Sequence, residues 1–181
     1  MSIKRKNKLL EDELNGFCGS ESLSEDGLRV IIERHKAAPN TNDPADRKYH
    51  FFLATCYNER VTEGVLRYLL EYFPNAVRFQ GALGTSIHSI CNNKNVTLGM
   101  VQLLIDAFPE SLCRENISGC TPLHVLCLTE PLDDNVRLEI LKLLLQKCPE
   151  SVRRAAGNDN LPIQAAAAFQ SPEFCRILIE A

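Results

Sequence analysis

The chain repeats itself, and the period limits what it can become. Three segments align on a shared proline: VLRYLLEYFPNAVR ending at Arg78, MVQLLIDAFPESLCR ending at Arg114, and ILKLLLQKCPESVR ending at Arg153. Their prolines, Pro74, Pro109 and Pro149, are 35 and 40 residues apart. Upstream, FFLATC (51–56), SIHSIC (86–91) and PLHVLC (122–127) place Cys56, Cys91 and Cys127 in one register, 18, 18 and 22 residues before the proline. A period of this size marks a stacked array, because one unit cannot bury its own apolar face and needs neighbours to cover it. The four extra residues of the 122–149 copy fall around 130–134, a polar stretch containing Pro131, and predict a longer loop between helices.

Within each copy a short apolar segment is followed by a polar break and then by apolar residues at helical spacing. These are Val65, Leu66, Leu69 and Leu70, then Met100, Val101, Leu104 and Ile105, then Ile140, Leu141, Leu144 and Leu145. The proline ends this second helix, since it biases the preceding residue away from α geometry. Strand-like alternation is absent, so the predicted fold class is all-α. A further copy begins at LPIQAAAAF (161–169) and runs to Ala181. A fainter one precedes them all: LRVIIER (28–34) matches LRYLLEY (66–72), with residues 8–15 as its partner helix. The expected organisation is an N-terminal segment, 1–45, holding a degenerate capping repeat at about 9–40, and an array over 46–181. Its units span about 46–80, 81–116, 117–156 and 157–181, the last cut short.

With the copies aligned, GCTPLHVLC (119–127) resembles the signature of the ankyrin-repeat family, a T-P-L-H-x-A pattern, and ILKLLL (140–145) resembles the second ankyrin helix. The other copies are degraded: Ser86-Ile87-His88 lacks the proline, Pro162-Ile163-Gln164 lacks the histidine, and Phe51-Phe52-Leu53 lacks both. Tetratricopeptide and armadillo-like helix pairs are the competing α-solenoids, and Thr121-Pro122 favours ankyrin because it caps and opens a helix. The resemblance implies an α-solenoid of stacked helix–turn–helix repeats, with hairpin fingers and the first helices forming a concave face that binds another protein. It also implies that His88 and His124 hydrogen-bond loop backbone while Cys91 and Cys127 fill a small-residue slot.

The remaining chemistry reads against catalysis. His88-x-x-Cys91 and His124-x-x-Cys127 offer a Cys2His2 set, but stacked helices lie about 8–10 Å apart, whereas zinc holds its ligands at about 2.0–2.3 Å. The equivalent positions elsewhere are Leu53 with Cys56 and Gln164 with Ala167, so the set does not persist. The eight cysteines include no CxxC and read as small core residues. No metal, cofactor or catalytic residue is predicted. His35 and His50 fall in a helix tail and a loop. Arg78, Arg114 and Arg153 recur after the proline and read as structural. Gly81 and Gly84 belong to a finger between copies, where glycine allows positive φ. Ser20, Ser22 and Ser24 form a polar linker.

A formal net charge of −3 argues against nucleic acid, and no stretch approaches the roughly 20 apolar residues of a membrane helix. The setting implied is intracellular and cytoplasmic, with a nuclear address left open by the basic run Lys4-Arg5-Lys6. A protein–protein scaffold is the leading expectation. The rivals are a regulatory or targeting segment related to a larger enzyme or channel, and a thiol- or metal-responsive module. Partner contacts are expected at the finger tips (Gln80, Leu83, Asn116, Ile117, Asn158, Asn160) and at the ends of the first helices (Tyr57, Asn58, Arg60, Asn92, Lys94, Thr129, Glu130). Ile177 and Ile179 in the cut-short final unit predict a shortened chain, a longer natural relative, or self-association.

Overall fold

The computed structural model describes residues 3–35, 49–130 and 133–181. Ten α-helices follow one another there in five pairs: α1 (Ile3–Cys18) with α2 (Glu25–Arg34), α3 (His50–Tyr57) with α4 (Glu63–Tyr72), α5 (Ser86–Cys91) with α6 (Leu98–Ala107), α7 (Pro122–Leu128) with α8 (Asp134–Lys147), and α9 (Pro162–Phe169) with α10 (Pro172–Glu180). The described residues contain no β-strand, only an isolated bridge between Gly81 and Gly84. The all-helical expectation holds.

The pairs stack in two layers. Each first helix packs on the next first helix, α1 on α3, α3 on α5, α5 on α7 and α7 on α9, and the second helices α2, α4, α6, α8 and α10 form a parallel row. Burial follows from this layering. All six residues of α5 are buried because it has neighbours on both sides and its own partner beneath, whereas α4 keeps a polar face and buries Val65, Leu66, Tyr68 and Leu69. In the last pair burial thins to Pro162, Ala166, Phe174 and Leu178, while Phe169 and Ile179 are exposed. Ala167, expected in the small-residue slot, is exposed, and its neighbour Ala166 is buried instead.

Each second helix starts on a residue whose side chain accepts a first-turn N–H: Ser24 from Gly27, Thr62 from Val65, Thr97 from Met100, Asp133 from Val136 and Ser171 from Phe174. The prolines act as expected and do one thing more. Pro74, Pro109 and Pro149 each open a five-residue 3-10 turn, Pro74–Arg78, Pro109–Cys113 and Pro149–Arg153. In two of these the hydroxyl at Ser111 or Ser151 donates back to the carbonyl before the proline, 2.6 Å in both cases.

Two expectations are corrected here. The extra length of this copy appears in α8, which has 14 residues against 10 in α4 and α6, rather than as the longer loop expected around 130–134, of which residues 131–132 lie outside the described residues. Asp133 caps that helix by accepting from the Asn135 and Val136 N–H groups, so residues that look loop-forming become a helix start. His50 is not in a loop but opens α3, its ring edge-on to Phe79 at 4.9 Å. The N-terminal pair is fuller than a faint copy, with α1 spanning 16 residues and Lys4-Arg5-Lys6 in its first turns. The part of that repeat at 36–40 lies outside the described residues.

Candidate functional site: the finger edge and the locks beneath it

Among the described residues three fingers join successive pairs, from the second pair to the fifth, and each is a tight turn. Gly81 and Gly84 exchange two backbone hydrogen bonds. At the next finger Asn116 accepts the Gly119 N–H on its carbonyl, and its side-chain oxygen accepts the Ser118 and Cys120 N–H groups. The last turn runs from Ala156 to Asp159 in the same way. Gly84 and Gly119 sit at φ 110° and 70°, a region where a β-carbon is strained, and Asp159 holds φ 62° in their place. Neighbouring fingers are tied by backbone, Ile117 N–H to Ala82 carbonyl at 3.3 Å and Gly157 N–H to Ser118 carbonyl at 2.9 Å.

Histidines lock these fingers to the first helices. Thr85 N–H donates to His88 Nδ1 at 3.1 Å, and the opposite ring nitrogen donates to the Cys120 carbonyl of the following finger at 3.0 Å. His124 repeats the arrangement with Thr121 N–H at 3.2 Å and the Asn160 carbonyl at 3.1 Å. Accepting at Nδ1 fixes the proton on Nε2, so neither ring keeps a lone pair for a metal. Burial pushes both imidazole pKa values below their ordinary 6.5, which favours the neutral form that the bond at Nδ1 requires. In the last pair Gln164 takes the histidine's place, its Oε1 accepting the Leu161 N–H at 2.7 Å.

A second set of locks closes the opposite ends of the first helices. There the terminal carbonyls lack intrahelical partners, and a side chain from the next pair supplies donors. Asn58 donates to the Cys18 and Ser20 carbonyls, and Asn93 to those of Cys56 and Asn58. Gln170 donates to the Leu126, Cys127 and Thr129 carbonyls. At the remaining junction the residue equivalent to Asn93 is Thr129, too short to reach back. Arg137, on the added turn of α8, fills the gap by donating to the Cys91 and Leu126 carbonyls at 3.1 and 3.4 Å. A cation suits the negative end of a helix. Arg137 is 2% exposed, its Nη2 has no partner, and burial lowers its pKa.

The cysteines divide by position. Cys18, Cys56, Cys91 and Cys127 are buried in the first-helix layer, and desolvation raises their thiols, to about 11 for Cys18 and about 12 for Cys91. Such thiols are poor nucleophiles. Cys113 and Cys148 do not stand alone as packing residues: they are paired, with Cα atoms 6.7 Å apart. Of the recurring arginines, Arg78 and Arg114 both stack on the Phe108 ring, at 4.8 and 5.0 Å, while Arg153 is exposed.

The residues expected to touch a partner separate into two edges, one at each end of the first helices. At the finger edge Gln80, Leu83, Ile117, Asn158 and Asn160 are exposed and Asn116 is half-buried. At the other edge Arg60, Asn92, Lys94 and Glu130 are exposed, Tyr57 and Asn58 are half-buried, and Thr129 is buried. Asn58 and Thr129 are occupied with neighbouring pairs, Thr129 donating to Asn92 Oδ1 and the Val125 carbonyl. Arg60 and Asn58 line a polar cleft with Ser20, Glu59 and Asn95. A cleft at the finger edge is lined by Ile117, Gly119, Cys120, Gly157 and Asn158. No protein-family model matches the chain, and no curated protein matches it either. No described helix is long and apolar enough to cross a membrane.

Proposed function

We propose that the chain is a non-catalytic protein-binding scaffold, a solenoid of ankyrin-like repeats that offers its finger edge to a partner. The observation that carries this reading is the pair of apolar side chains held in solvent at consecutive finger tips, Leu83 at 60% and Ile117 at 78% exposure. Scattered exposed apolar residues are ordinary. These two sit on turns tied together by backbone hydrogen bonds and anchored by buried histidines, so their spacing is rigid, and pre-organised anchors bind at lower entropic cost. The opposite edge is the weaker candidate, because several of its polar groups already serve as locks between pairs. The ankyrin-like signature around Thr121-Pro122-Leu123-His124 supports the same reading, since its histidine makes the finger contact that the pattern implies.

The immobilised 181-residue chain and a Leu83→Glu/Ile117→Glu variant, compared by quantitative mass spectrometry on the same cell extract, test the proposal. A partner retained by the wild type and by a Gln146→Glu control on α8 should fall at least tenfold on the finger variant, the loss typical of central anchors. If no protein distinguishes the three baits, the finger edge is not a binding surface.

A further inference from the structure

Counting from the proline that ends each second helix isolates one junction. The residue four places after the proline in one pair meets the residue just before the proline in the next. Between the second and third pairs these are Arg78 and Phe108, with the guanidinium 4.8 Å from the ring centre. Between the third and fourth pairs the same two positions hold Cys113 and Cys148, their sulfurs in bonding contact. Both partners of one contact have changed together, from a cation on a ring to two thiols. A Cα separation of 6.7 Å falls within the range a disulfide spans.

The geometry points to Cys113–Cys148 as a reversible thiol–disulfide couple that fastens the third helix pair to the fourth. The two cysteines differ in access, Cys113 half-buried and Cys148 2% exposed, which orders the chemistry. A peroxide reaches Cys113 first. The Cys113 thiol gives up its proton and attacks one peroxide oxygen, forming a sulfenic acid and releasing one water. The Cys148 thiol then attacks that sulfur, the S–S bond forms, and the sulfenic oxygen leaves as a second water. Two thiols thus lose two electrons and two protons, and one hydrogen peroxide becomes two waters. Glu150 Oε1, 3.2 Å from Cys113 Sγ, is placed to relay the thiol proton to the departing hydroxide, which leaves as the first water.

The bond stands at the root of two fingers. Cys113 leads directly into the finger carrying Ile117, and Cys148 precedes the 3-10 turn that feeds the finger carrying Asn158. Between the two cysteines lie the whole of α7 and α8, so the crosslink closes a loop around the fourth pair and restrains its unfolding.

The test uses the full chain, reduced and freed of reductant, then treated with hydrogen peroxide and alkylated in denaturant with N-ethylmaleimide. Intact mass should show six adducts for the eight cysteines, and peptide mapping should join Cys113 to Cys148. The Tm should rise by roughly 5–10 °C on oxidation and return with dithiothreitol. Cys113→Ser and Cys148→Ala should each abolish the rise. The first alters a half-exposed side chain, so it reports even where the second disturbs packing. Eight adducts after peroxide, or a bond joining any other cysteines, overturns the inference. So does stoichiometric zinc on the reduced wild type that is lost in Cys113→Ser, because the two sulfurs and Glu150 lie close enough to serve as a ligand set instead.

Discussion

Protonating His88 and His124 should loosen the array, and the effect can be worked from the bonds each ring makes. Nδ1 of His88 accepts the N–H of Thr85, a residue with no solvent exposure, so a proton on that nitrogen would set two N–H groups against each other. Folded-state pKa values below the ordinary 6.5 mean that the unfolded chain binds these protons more readily. Stability is therefore fully present above pH 6.5 and falls as pH drops through and below that value, until the folded-state pKa is passed. The slope is up to about 1.4 kcal/mol per pH unit for each histidine. Replacing His88 with leucine removes the acceptor for the Thr85 N–H and the donor to the Cys120 carbonyl, a loss of about 2–4 kcal/mol in all. His88→Gln should cost less, about 1 kcal/mol, because Gln164 makes the equivalent cap in the last pair. Urea unfolding followed by far-UV circular dichroism at pH 7.5, 6.5 and 5.5 reads all of this. The wild type should lose stability across the series, and the His88→Gln/His124→Gln double variant should lose clearly less. Parallel loss in the two proteins would show that the acid response lies elsewhere, and equal destabilisation by leucine and glutamine would refute the capping role.

Other perturbations probe the same scaffold. Asn93→Ala strips donors from the Cys56 and Asn58 carbonyls and should cost about 1–3 kcal/mol, with hydrogen exchange accelerated in α3; unchanged exchange there would deny the capping role. Arg137→Ala leaves the Cys91 carbonyl without its donor and opens space beside it, so it should lose about 3 kcal/mol in urea titration, more than Arg137→Met, which keeps volume and removes a buried charge. Gly119→Ala places a methyl 2.5 Å from the Gly157 nitrogen at φ 70°, and a loss of about 2 kcal/mol or more in Tm-derived stability is expected. Wild-type stability in that variant would mean the two fingers can part freely.

The features legible in the sequence are those whose signals are local. Helix spacing and the prolines were, because the 3.6-residue stripe and the missing N–H act within one copy. The Ser, Thr and Asp caps of the second helices are equally local, each standing one residue before its helix. Asp133, Asp134 and Asn135 misled because the same side chains suit loops and helix starts, and only the accepting bond at Asp133 separates the two. The donors capping neighbouring helices could not be read directly: Asn58 looks like a surface residue until the Cys18 and Ser20 carbonyls are in place. Cys113 and Cys148 stand 35 residues apart, and their meeting emerges only when the copies are laid over one another with the proline as origin.

The added turn of α8 carries a lesson about how such chains change length. Four residues advance a helix by about 400°, so a four-residue insertion rotates the downstream side chains by only about 40°. Ile140, Leu141 and Leu144 consequently still face α6 and α7, and the next copy begins in register. One or two inserted residues would swing that face by about 100–200° into water. Growth inside a helix is thus tolerated in whole turns, and the new turn arrived bearing Arg137, which serves the very helix end that Thr129 cannot reach.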